Sequence, residues 1–371
     1  MSDLELRDRL VSAITLLNIP GVGIVRYHRL TKAFGDPASV LSSSIGQLET
    51  VPGISRAISG AIKKQQDTDK ARELAGRIVQ LGWSVLFPSD PDYPKTLLSI
   101  RDHPPILFRI GEPMKDDEKL VAIVGTRRCT EKGRLFTFDL ARSLAQAEVT
   151  VVSGMAEGID SAAHAGALEA SGKTVAVWGC SLEIVYPPSN KSLAESIKNN
   201  GAVYSEYLPG TTPDRTTFPE RNRIISGMVE AVVVVEAGQK SGALITAQRA
   251  LDHGRELFAV PGSPHSRSSQ GTNNLIKAGA KLTTRIDDIF DELPRLKGEV
   301  LVKKFRALPD MTETERNIVS FFSEGTQQLD QLANSAGMPV SELMEFLLAL
   351  ELKGVVKELS GKRFMLSEEF A

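Results

Sequence analysis

Six short apolar runs punctuate the middle of the chain, at 120–124, 149–152, 174–178, 202–204, 231–235 and 256–260. Each is continuously apolar rather than alternating. That is the pattern of a strand buried on both faces, as in a parallel sheet. Between the runs lie segments of helical periodicity at 131–146, 158–171, 189–200, 219–228 and 242–253. Strand and helix alternating over 118–292 predict a doubly wound α/β sheet.

Upstream, residues 1–75 read as helical. Residues 76–114 read as a Pro- and aromatic-rich connector. Its "WSVLF" and "PPILFRIG" stretches predict two short strands, with prolines marking edge positions. Downstream, 293–310 reads as a charged linker. From 311 the predicted order is three helices and a terminal hairpin about Ser360-Gly361, the order of a winged helix. "TETERNIVSFFSE" opens the first of these helices with a Thr…Glu capping box. The chain thus divides into 1–75, 76–298 and 308–371, more than one core for 371 residues.

Two fragments repeat in the N-terminal part, "IPGVG" at 19–23 and "VPGIS" at 51–55. A hydrophobic residue, Pro, Gly, a hydrophobic and a small residue before a helix is the helix-hairpin-helix (SAM-like) signature, whose turn amides can face a phosphate. The same turn equally serves as a plain helical hairpin, since the nearby cations Arg26, Arg29, Lys63 and Lys64 are few.

Composition sharpens this picture in three places. Apolar content of 42% with 24% charged residues is that of a globular protein, and no window approaches the ~18 apolar residues of a membrane span. The opening "MSDLELRDRL" lacks a signal-peptide apolar region, and Cys129 and Cys180 make neither a disulfide framework nor a metal spacing. A cytoplasmic protein is expected. The net charge of −2 hides an asymmetry: 308–371 carries 5 Lys/Arg against 11 Asp/Glu. The expected recognition helix of the winged helix, 339–352, displays Glu342, Glu345 and Glu351 with no cation before Lys353, which predicts a protein contact or regulatory role rather than phosphate tracking.

Ligands of parallel sheets sit beyond the carboxyl ends of the strands. Four of the six loops there carry cations: Arg127 and Arg128; Arg215, Arg221 and Arg223; Lys240; and Arg267. Small residues beside them (Gly154, Gly158, Gly238, Ser241, Gly242 and Gly271) let a phosphate reach backbone amides. Phe218 stands among Arg215, Arg221 and Arg223, the setting a stacked, unpaired base requires. Internal roles compete: Arg221 or Arg223 with Glu206 or Glu220, Arg128 with Glu131, helix capping for Ser153 and Asp160, and packing for His164. On this arrangement alone a nucleotide or phosphosugar fits as well as a nucleic acid. Catalysis finds little support. There is no P-loop, no GxGxxG after the first strand, no GxSxG, and the histidines at 28, 103, 164, 253 and 265 lack metal spacing. No cofactor or metal is expected.

Seven collinear segments carry a resemblance: "YPKTLLSIRDHPPILFRIG", "VAIVGTRRCTEKG", "SGMAEGIDSAAHAGAL", "KTVAVWGCSLEIVYPPSN", "FPERNRIISGM", "SGALITAQRAL" and "FAVPGSPHSRSSQGTNNLIKAGA". Together they cover most of 90–290, and the set resembles the DprA/Smf family of bacterial DNA-processing proteins. The resemblance implies a Rossmann-like domain that binds and protects single-stranded DNA, dimerises, and helps load the recombinase RecA in natural transformation, without enzymatic turnover. It implies a DNA pocket from Arg127, Arg128, Gly154, Arg215, Phe218, Arg221, Arg223 and Lys240, with Lys173 a weaker member. The chain departs from the family pattern at Thr126, where serine is usual, and at Trp178 and Cys180. The competing reading is a nucleotide phosphoribohydrolase on a related fold, but the loop "EAGQKSGALITAQ" lacks the PGGxGTxxE motif of those enzymes.

Overall fold

Amphipathic stripes fold the N-terminal region into six helices, α1 (Asp3–Leu17), α2 (Ile24–Phe34), α3 (Pro37–Ser42), α4 (Ile45–Glu49), α5 (Arg56–Lys64) and α6 (Asp69–Gln80). The structure, a computed structural model, describes residues 3–64, 68–297, 311–324, 326–359 and 361–367. The two Pro-Gly turns join α1 to α2 and α4 to α5. Both glycines are left-handed, with φ of 87° at Gly21 and 88° at Gly53, where a side chain would be strained. Arg26 donates to the carbonyls of Gly21 (2.8 Å) and Gly53 (3.1 Å), and Arg29 to that of Pro52 (3.0 Å). These cations lace the two hairpins together. Helix α6 continues past residue 75 because Ala75 and Ile78 extend its buried stripe.

The sheet comprises β1 (Ser84–Leu86), β2 (Leu107–Gly111), β3 (Leu120–Val124), β4 (Thr150–Ser153), β5 (Thr174–Val177), β6 (Gly201–Ser205), β7 (Ala231–Val234), β8 (Glu256–Ala259) and β9 (Lys281–Leu282). Their order is β1-β2-β6-β5-β4-β3-β7-β8-β9. From β6 to β9 every pairing is parallel; β1 with β2 and β2 with β6 are antiparallel. Only β1 takes the edge position expected of the connector strands. β2 lies inside the sheet because Pro104 and Pro105 precede it rather than interrupt it, leaving its amides free to pair.

Seven helices complete this part: α7 (Glu131–Gln146), α8 (Ile159–Glu169), α9 (Lys191–Asn199), α10 (Thr217–Met228), α11 (Ala243–Asp252), α12 (Gln270–Lys277) and α13 (Ile286–Glu292). Val121 and Ile123 of β3 share one core with Leu140 and Leu144 of α7 and Ile159 of α8. The alternate residues Ala122 and Val124 share another with Ile224 and Ile225 of α10 and Ala247 of α11. Both faces of β3 are therefore covered, which explains its unbroken apolar run. Leu10, Ile14 and Leu30 of the helical region pack in one core with Phe108, Trp178 and Cys180. The N-terminal helices and the sheet thus belong to one compact unit.

The second unit is the winged helix: α14 (Glu313–Ser320), β10 (Gln327–Gln328), α15 (Leu329–Ala336), α16 (Val340–Leu352), β11 (Val356–Leu359) and β12 (Arg363–Leu366). The capping box forms as expected. Thr312 Oγ1 accepts from the Glu315 amide at 3.2 Å, and the Glu315 carboxylate accepts from the Thr312 amide at 2.7 Å. β12 pairs with β11 and also with β10, a two-residue strand inside the stretch read as helix. Ser360 of the hairpin turn and 298–310 of the charged linker lie outside the described residues. Among those described, no helix is long and apolar enough to cross a membrane.

Candidate functional site

The strand order reverses between β3 and β7, with β4 to β6 on one side and β8 and β9 on the other. Loops leaving β3 and β7 therefore diverge, opening a crevice at the carboxyl edge. A cavity of about 380 Å³ occupies it, lined among others by Arg127, Arg128, Asp160, Phe218, Arg221 and Gly242. The first turns of α8, α10 and α11 all border this cavity. Three helix amino ends around one crevice favour an anion.

The Gly125–Thr130 loop is pinned from below. The Thr126 amide donates to the Glu236 carbonyl (2.8 Å) and the Ile159 amide to the Thr126 carbonyl (3.3 Å). Thr130 caps α7 by accepting from the Gly133 amide (3.0 Å), and its own hydroxyl donates to Glu236 Oε1 (2.5 Å). At Gly158 φ is 83°, and a Cβ would stand 2.5 Å from the Thr126 carbonyl oxygen, so this contact with the loop requires glycine. Held this way, the loop leaves both arginine side chains exposed. Arg127 lies over the Phe218 ring, its Cζ 5.3 Å from the centroid. Arg128 lines the cavity beside it. Glu131 does not hold Arg128; it is taken by Arg134 at 2.9 Å.

Phe218 sits in the first turn of α10, against Gly179, where a Cβ would approach its ring to 2.9 Å. On its other flank is Tyr186, an exposed ring 5.6 Å away and tilted by 34°. Tyr186, Phe218 and Arg127 together line a smaller recess that adjoins the cavity, with Gly154 and Glu157. Tyr186 is the functional candidate that sequence reasoning missed. Its signal was the ring placed just before Pro187 in "VYPPSN", in the loop that follows the third expected strand. Asn190 fixes that loop by donating to the Met155 carbonyl and to Ser161 Oγ, each at 2.9 Å.

Several expected site residues prove to be internal. Arg221 is buried and donates to the carbonyls of Gly154 (2.6 Å) and Val177, at the ends of β4 and β5. Asp160 faces it, and a Cβ on Gly154 would collide with both. Burial drives the Arg221 pKa down and the Asp160 pKa up, each opposed by the other's charge. Arg223 is also buried, pairing with Glu206 and lying 3.8 Å from Asp102. Arg215 and Lys240 are exposed on the loops just before Phe218 and Ser241, and neither lines the cavity. Lys173 precedes β5 and lies at the opposite edge of the sheet, 3.9 Å from Glu112. His164 is buried, its Nδ1 2.7 Å from Thr174 Oγ1, and burial lowers its pKa to about 3.

The arrangement suits binding. Exposed guanidinium groups meet phosphate, and the adjoining rings offer faces to a base. Asp160, the buried carboxylate of the cavity, accepts from the Ala156 amide at 3.3 Å and feels the nearby Arg221 charge. Among the described residues no group of three or more His, Cys, Asp or Glu could hold a metal ion.

Comparison with known proteins agrees with this fold. The family model described as DNA recombination-mediator protein A matches residues 84–294, and the DprA winged helix domain matches 303–362. Protein Smf of Synechocystis is 31% identical over 381 residues, spanning 93% of this chain and 96% of its own. The X-ray structure of DNA processing protein A from Streptococcus pneumoniae superposes with a TM-score of 0.61 at 33% identity, covering 78% of this chain and 95% of that one. A structure of DNA processing protein A from Helicobacter pylori, reported for its single-stranded DNA binding mode, gives 0.52 at 31% identity, covering 57% and 96%. With both the sheet domain and the winged helix matched in order, the chain belongs to the DprA/Smf family of DNA recombination-mediator proteins.

Proposed function

We propose that this protein binds single-stranded DNA at the β3/β7 crevice, protects it, and hands it to a RecA-type recombinase during transformation and recombination. The observation that carries the reading is the Tyr186–Phe218–Arg127 cluster at the mouth of a cation-lined cavity. Phosphates are held by Arg127 and Arg128, which sets the affinity and its salt dependence. A base stacks on the Tyr186 and Phe218 rings without its edge being read, so sequence preference is weak. Arg215 and Lys240 flank the path of the strand on neighbouring loops. Arg221 acts from within, holding the cavity floor, and Arg223 pairs with Glu206 away from the cavity, so neither touches the strand. Lys173 takes no part.

The likeness to the Helicobacter pylori protein, whose single-stranded DNA binding mode was reported, supports the ligand. The recombination-mediator description of the matched family supports the hand-over. Two copies joined through the Rossmann-like domain would place two such sites on one strand, and avidity would strengthen the complex. No turnover is part of this reading, and the work of the site is cytoplasmic.

A competition experiment tests the proposal. A labelled oligo-dT bound to the full chain is challenged with unlabelled single strand, duplex of equal length, and nucleoside monophosphates. The single strand alone should displace it efficiently. Displacement by monophosphates at comparable concentration, with their hydrolysis, would favour the phosphoribohydrolase reading instead.

A further inference from the structure

Helix α16 occupies the place of a recognition helix in the winged helix, yet its open face is apolar. Val340, Met344, Leu348 and Leu352 recur every four residues and are 41%, 38%, 57% and 83% exposed. The adjoining stripe carries Leu343, Leu347 and Leu350, all fully buried in the core of the unit. The exposed ridge is therefore surplus to folding. A contiguous apolar ridge on a soluble surface marks a contact site more often than not.

Charge says what kind of contact. Glu345 borders the ridge and Glu351 falls within it, while Glu342 stands further round the same helix. Lys353 follows its last residue, and its ammonium is held by Glu315 at 2.6 Å. The other cations nearby, Lys357, Lys362 and Arg363, belong to the β11–β12 hairpin and its turn. A phosphate backbone is repelled by such a helix. A second copy of the same ridge would set glutamates against glutamates. A helix with an apolar stripe and Lys or Arg at its margins fits both features at once.

We propose that α16 is a docking ridge for a basic amphipathic helix of a partner protein. Leu348 and Met344 are the apolar anchors, and Glu345, at the border of the ridge, selects the cationic margin. This site belongs to the second unit, and its occupant does not depend on what the crevice binds.

The probe is a synthetic amphipathic peptide with leucines every three to four positions and lysines at their flanks, labelled and titrated into the full chain. Leu348→Glu and Glu345→Lys variants are compared with the wild type. Both residues are exposed, so melting temperature and oligo-dT affinity should not move. The wild type should bind the peptide at least about tenfold more tightly than either variant, a loss of about 1.4 kcal/mol. A peptide with its lysines replaced by glutamate should not bind. Failure of the wild type to bind, or equal binding by the variants, overturns the proposal. So does a change of oligomeric state in Leu348→Glu, which would assign the ridge to a second copy. Duplex DNA competing for the ridge would also overturn it.

Discussion

At the scale of single residues the site separates cations that face solvent from cations that serve the fold. Arg127 and Arg128 are exposed on a pinned loop, whereas Arg221 and Arg223 are buried against carbonyls and carboxylates. Their substitutions should therefore fail in different ways. Arg127→Ala should weaken single-strand binding and lower the slope of log affinity against log salt by about one phosphate contact, with an unchanged melting temperature. Phe218→Ala should cost about 1–3 kcal/mol of binding, and Tyr186→Ala should lose affinity in the same direction. Arg221→Ala instead strips the charge that offsets the buried Asp160 and orphans the Gly154 and Val177 carbonyls, and should cost on the order of 3 kcal/mol of stability, read as a lower urea midpoint. An Arg221→Ala protein that melts like the wild type would refute its place in the cavity floor.

At the scale of elements, the sequence was most legible where burial was complete. The runs at 120–124 and 231–235 became β3 and β7 because both faces of each are covered, and continuous apolarity records that directly. α12 and β9 fell within or beside a stretch read as loop. Their residues, "SSQGTNNLIKAGAKL", are mostly polar, and a two-residue edge strand has no periodicity to detect. The candidate site was half legible for a related reason. An arginine beside an aromatic looks the same in sequence whether it waits for a ligand or binds a carbonyl, so Arg221 and Arg127 could be told apart only once α10 was docked on β4 and β5. Lys173 was separable in principle: it stands before β5, hence at the amino end of a parallel strand, away from the crevice. Lys173→Ala should leave oligonucleotide affinity unchanged. Gly158→Ala should misplace the Arg127 loop, because the added Cβ meets the Thr126 carbonyl and φ is positive. The strain should cost on the order of 1–3 kcal/mol and reduce binding as well.

At the scale of the whole molecule, the N-terminal helices and the sheet are one compact unit joined partly through histidine. The His28 ring donates to the His103 carbonyl at 2.7 Å and stacks on the His103 ring at 3.8 Å. Burial lowers the pKa of His28 to about 4 and that of His164 to about 3. Both are neutral in the folded protein at pH 7. Their unfolded values lie near 6.5, so below that pH the unfolded chain binds more protons and stability falls. The melting temperature should thus drop between about pH 6.5 and 3, and His28→Gln should flatten the part above about pH 4.

Single-strand binding rests on the cationic, aromatic crevice. Labelled oligo-dT titrated at two salt concentrations into the wild type, Arg127→Ala and Phe218→Ala tests it most directly. The prediction is wild-type affinity that falls steeply with salt, and variants that bind measurably more weakly while melting normally. Wild-type affinity in both folded variants, or binding indifferent to salt, would contradict it.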